Sequence, residues 1–138
     1  MTAEEIEQTI RDFGEATRRA IEAGFDGVEI HGANHYLIHQ FVSPYYNRRN
    51  DVWADNYKFP VAVIDEVIKA KKAHANDDFI IGYRLSPEEA ESPGISMEIT
   101  EELIHQIANK PLDYIHVSLM DVNLSLIHIS EPTRLGMI

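Results

Sequence analysis

The feature that most constrains this chain is a regular exchange of helical and strand-like segments along its length. From Met1 to Ala23, Ile6, Ile10, Phe13, Ala16, Ala20 and Ile21 recur at helical spacing. Thr2 and Glu5 stand at capping-box spacing at its start, and Gly24 is placed to end it in a left-handed turn. Phe25–His31 then reads as a short strand carrying Val28 and Ile30 and closed by Gly32. A second helix is expected at about Tyr36–Phe41, followed by an irregular polar stretch, Ser43–Tyr57. Pro60 suits the first turn of a third helix, which continues through Val61, Val63, Ile64, Val67, Ile68 and Ala70. After the polar connection His74–Asp78, Phe79–Leu85 is a second strand. The loop Ser86–Ser96 leads to a helix over about Glu98–Asn109, and Asp113–Leu119 is a third strand.

Strands alternating with helices pair in parallel through right-handed crossovers. An open doubly wound sheet and an arc of a closed barrel both satisfy that rule. The strands end in polar groups: His31, then Arg84, then His116 and Ser118. Loops at the carboxyl ends of barrel strands build active sites, although open sheets bind ligands at the same ends. The expected fold class is therefore α/β, a partial TIM (β/α)8 barrel. It has about three parallel strands with intervening helices, in the order α-β-α-β-α-β.

Charge and residue usage narrow the function classes. A net charge of -11 argues against nucleic acid or an anionic membrane surface as partner. With no cysteine, disulfides, thiolate metal sites and a Cys nucleophile are excluded within this stretch. No apolar run approaches a transmembrane length, and the N-terminus lacks the basic-then-apolar order of a signal peptide. Cytoplasm is the expected address.

The segment Leu124–Arg134 reads LSLIHISEPTR. Back-translated, it resembles, codon for codon, the transposon-end adapter used in sequencing libraries; the rival reading is a native amphipathic tail. The expected organisation is thus a natural stretch, 1–123, followed by translated adapter, 124–138, with Met1 read as an internal methionine. Three strands cannot close a barrel and leave edges unpaired, so the stretch alone is expected to fold poorly and to be inert.

The densest chemical signal is the run from Glu29 to Phe41, EIHGANHYLIHQF. His31 ends a strand, and Asn34 and Tyr36 lie in the turn after it. An imidazole and a carboxamide three residues apart can aim N–H donors at one spot, where they would stabilise negative charge developing on an oxygen. A phenol two residues further on can supply a proton. The alternative is that His31 and Asn34 merely cap a strand end and a helix start. His35 and His39, four apart on the expected helix, have a spacing that can hold a metal, and His31 would be the residue to join them. The sequence places no acidic third ligand there, and no metal is assigned. A metal-dependent barrel enzyme using His31, His35 and His39 is the rival reading.

The run AGFDGVEIHGANHYLIHQFVSPYYNRRND resembles the fourth-strand segment of the Old Yellow Enzyme family. The Phe-Pro helix, IGYRLSP and DYIHVS are similar, in the same order, to later landmarks of that family, so the likeness covers Met1 to about Asn123. The resemblance implies an FMN-dependent oxidoreductase that takes hydride from NADH or NADPH and passes it to a small molecule with an activated double bond. A homo-oligomeric parent is compatible with it. His31 and Asn34 match the pair that hydrogen-bonds the acceptor's oxygen above the flavin, and Tyr36 matches the proton donor. Arg84, in IGYR, matches the arginine beside the flavin pyrimidine edge, where a fixed cation favours the reduced, anionic flavin. Read alone, Arg84 is better explained as a strand-end arginine paired with a nearby carboxylate.

The sequence also departs from the family. Asn47-Arg48-Arg49-Asn50-Asp51-Val52-Trp53-Ala54-Asp55 replaces the usual loop, and the helix at Phe59 arrives several residues early. Trp53 is expected to pack that loop. The glycine-rich segments that hold the FMN phosphate belong to later strands of the family and are absent from this stretch.

Overall fold

A computed structural model describes residues 1–119. Its element order is α1 (Ala3–Glu22), β1 (Gly27–Gly32), α2 (Leu37–Val42), α3 (Lys58–His74), β2 (Ile80–Leu85), α4 (Met97–Ile107) and β3 (Tyr114–Val117), with one 3-10 turn at Val52–Ala54. The segment 124–138, expected to be adapter-encoded, lies outside the described residues.

The capping box at Thr2 forms in full. The Glu5 amide donates to Thr2 Oγ1 at 3.1 Å, and the Thr2 amide donates to Glu5 Oε2 at 2.7 Å. At the other end of α1 the chain turns at Gly24, whose φ of 90° is a left-handed conformation open to glycine. Trp53 packs the loop before α3, as expected. It is buried, with its ring edge-on to Phe59 and the Lys58 ammonium 5.2 Å from its centroid.

The three strands are parallel and lie in sequence order, β1-β2-β3, each bonded to the next. This is the order of a barrel arc rather than of a doubly wound sheet, in which the strand order reverses. The period of two divides each strand between faces. Ile30, Ile81, Tyr83 and Leu85 point to the side on which Ile38, Phe41, Phe59, Val63, Ile64 and Val67 form the core. Phe41 and Phe59 stack within it, their ring centroids 4.1 Å apart. The opposite side carries Glu29, His31, Arg84, Tyr114 and His116, all incompletely buried. In a closed barrel that side is the interior.

Two register pairs set the site. His31 stands opposite Arg84 on β2, and Arg84 opposite His116 on β3. Gly82, two pairs below and on the same face, leaves room for the Tyr114 ring, because a Cβ there would lie 2.1 Å from it.

Candidate active site

Parallel pairing puts the carboxyl ends of all three strands at one rim, and every residue singled out for chemistry lies at or near it. His31 is the penultimate residue of β1. Its Nδ1 is buried without a hydrogen-bond partner. Burial lowers the His31 pKa and the nearby Arg84 cation lowers it further, outweighing the opposing pull of Glu29, so the neutral imidazole is favoured. A neutral imidazole carries one N–H donor and one acceptor nitrogen.

Asn34 sits in the turn after β1 with a left-handed backbone, φ 59°, and His35 follows at φ 63°. Asparagine tolerates that region better than most residues. Bonds from the other two strand ends hold it there. The Asn34 amide donates to Ser86 Oγ at 2.9 Å, and the Ser118 hydroxyl donates to Asn34 Oδ1 at 3.1 Å. With Oδ1 taken as acceptor, the carboxamide NH2 is the group left to present to a ligand. Asn34 does not cap the following helix: the N-cap of α2 is Tyr36, with no side-chain cap bond.

The Tyr36 ring lies 5.1 Å from the His31 ring, centroid to centroid, at a tilt of 49°. Its side chain stays open to solvent. The imidazole and the phenol are thus neighbours at the end of β1, and the carboxamide lies in the turn between them.

Arg84 has a partner that the sequence left open. Its Nη2 and Nε both contact Glu29 Oε2, at 2.6 and 2.7 Å. Glu29 Oε1 in turn accepts from the Tyr114 hydroxyl at 3.0 Å and meets His116 Nδ1 at 3.0 Å. Partial burial pushes the Glu29 pKa up, but the bonds from His116, Arg84 and Tyr114 outweigh it and hold the carboxyl below its usual range. The carboxylate pairing is thus real, and it fixes the guanidinium on the open face of the sheet. Nη1 is left without a hydrogen bond among the described residues.

The expectation of His35 and His39 on one helix is corrected here. His35 lies in the turn before α2, which begins at Leu37. The two rings still approach to 4.6 Å. His31 does not join them. Among the described residues the group that can share a cation is His35, His39 and Glu89. Glu89 was missed, because it sits 50 residues from His39 in a Pro- and Glu-rich loop whose carboxylates all look alike in sequence. Ser86 and Ser118 are recognisable only as the residues that follow strands.

Comparisons with known proteins agree with this geometry. The NADH:flavin oxidoreductase / NADH oxidase family model matches residues 1–136. The chain is 55% identical to the probable NADH-dependent flavin oxidoreductase YqiG of Bacillus subtilis, over 99% of this chain and 38% of that protein. It is 49% identical to the NADH:fumarate oxidoreductase of Klebsiella pneumoniae, over 98% of this chain and 15% of the relative. Among solved structures, morphinone reductase in complex with tetrahydroNAD superposes with a TM-score of 0.72 at 28% identity, covering 85% of this chain and 33% of that one. The chain spans well under half the length of each of these relatives.

Proposed function

The chain belongs to the NADH:flavin oxidoreductase / NADH oxidase family, the Old Yellow Enzyme type, and from that premise we propose that the full-length protein binds FMN, oxidises NADH or NADPH, and reduces an activated alkene. The observation that carries this reading is the His31 imidazole at the end of β1 with the Tyr36 ring 5.1 Å away and Arg84 opposite it on the neighbouring strand, with Asn34 in the turn between His31 and Tyr36.

The residues present fit FMN. His31 keeps a buried nitrogen without a partner, and Arg84 keeps Nη1 without a hydrogen bond among the described residues. Arg84 would hold the pyrimidine edge and His31 would lie against the ring system. When bound, FMN supplies the hydride that the acceptor takes up.

The remaining roles belong to this chain's own side chains. A neutral His31 and the Asn34 NH2 donate to the acceptor's oxygen and draw electron density from its double bond. Ser118 makes that donation directional by fixing the Asn34 carboxamide. Tyr36 delivers a proton to the alkene carbon next to the activating group. The Glu29 carboxylate keeps Arg84 in place on the sheet. The relatives are named for acrylate, fumarate and morphinone, all conjugated carbonyl compounds, which favours an α,β-unsaturated acceptor here.

The test is to purify the full-length protein and follow its visible spectrum without oxygen. Yellow colour, bleaching by NADH or NADPH and recolouring by an α,β-unsaturated carbonyl compound are expected. A protein that purifies without flavin and takes none up would sink the reading.

A further inference from the structure

Beside the alkene site, and independent of its chemistry, a second cluster joins the turn after β1 to the loop after β2. His39 is completely buried, and its Nε2 lies 3.0 Å from Glu89 Oε1. His35 Nδ1 lies 3.7 Å from the same oxygen and is buried with no hydrogen-bond partner. One ligand atom from each of the three residues falls within 4.8 Å of the others.

The geometry points to a three-ligand site for a divalent transition cation, Zn2+ or a cation of like preference, formed by His35 Nδ1, His39 Nε2 and Glu89 Oε1. In a tetrahedral site with bonds of about 2.0 to 2.1 Å, ligand atoms stand roughly 3.3 Å apart. Two of the three separations, those to Glu89 Oε1 at 3.0 and 3.7 Å, bracket that value, and all three atoms lie within 4.8 Å of one another. Two imidazoles with one carboxylate suit Zn2+, whereas Mg2+ and Ca2+ require oxygen ligands throughout.

The surroundings support two of the three ligands, Glu89 and His35, while His39 Nδ1 has no hydrogen-bond partner among the described residues. Glu89 Oε2 accepts from the Ser43 hydroxyl and, at 2.6 Å, from the Ile95 amide, so the carboxylate is fixed with Oε1 turned to the histidines. His35 Nε2 faces Glu91 Oε1 at 3.8 Å, where an outer carboxylate can steady the ring. His35 also has a left-handed backbone, a conformation that persists where the surroundings over-determine it. A hydrogen bond between His39 and Glu89 alone explains neither that backbone nor the unpartnered His35 nitrogen. Because His35 lies between Asn34 and Tyr36, an occupied site would also pin the turn that carries both.

The experiment is calorimetric titration of metal-stripped, full-length protein with Zn2+, repeated with Co2+ while recording the visible absorption of the bound ion. The wild type is expected to bind about one cation per chain, with the intense absorption of tetrahedral Co2+. His35→Asn keeps a residue that tolerates the left-handed backbone but removes a ligand, and Glu89→Gln keeps the shape of the carboxylate. Each is expected to weaken binding by at least about ten-fold. An unchanged metal-free melting temperature in His35→Asn would show that the loss comes from the ligand and not from the fold. No saturable uptake by the wild type, or wild-type affinity in either variant, overturns the site.

Discussion

Arg84 and Glu29 face each other across the β1–β2 pair, with Nη2 2.6 Å from Oε2. Arg84 is two register positions above Gly82, Glu29's own partner, so the pair runs diagonally over one face of the sheet. The carboxyl pKa is held below its usual value. A depressed pKa stabilises the fold above the unfolded value, and the gain is lost as the pH falls through the lower, folded value. Wild-type stability should therefore drop as the pH is taken below 4.5, the ordinary glutamate value. Glu29→Gln should show a shallower drop over the same window. Urea denaturation at a series of pH values measures it, and parallel curves for the two proteins would refute the assignment.

Tyr36→Phe removes the phenolic proton and leaves the ring against His31. Reduction of the protein by NADH should proceed at the wild-type rate, while transfer to the alkene slows by about a hundred-fold or more. Stopped-flow measurement of the two half-reactions separates these effects. Equal slowing of both would argue for a packing role.

Ser118→Ala removes the donor that fixes the Asn34 carboxamide. One hydrogen bond contributes about 1 kcal/mol, so alkene turnover should fall roughly five-fold with little change in flavin reduction. If turnover is unchanged, the carboxamide is oriented by something other than Ser118.

Phe59 is fully buried and stacked on Phe41. Phe59→Ala should cost about 3 to 5 kcal/mol of stability, through lost transfer energy and the cavity left behind. Denaturant titration of the full-length protein measures this loss directly.

Much of the fold is legible in the sequence because its signals are local. The capping box at Thr2 and Glu5, the left-handed Gly24 and the apolar run of β2 each lie within a few residues of the structure they specify. His31, Asn34 and Tyr36 are legible for the same reason, being clustered at one strand end. Glu89 is not, since only the parallel pairing of β1 and β2 brings its loop to His39. The turn before α2 is not legible for a related reason. Asn34 and His35 take up left-handed backbone, with Asn34 held by Ser86 and Ser118, and no periodicity reports bonds to residues so far along the chain.

That pair of left-handed residues limits how the site can be re-engineered. Each costs an ordinary L-residue about 1 to 2 kcal/mol, and a β-branched one more. A mutant library randomised at positions 34 and 35 would spend most of its members on variants that lose the turn before their chemistry is tested. Keeping Asn34 fixed, and limiting position 35 to residues that tolerate a left-handed backbone, would let selection act on chemistry rather than on folding.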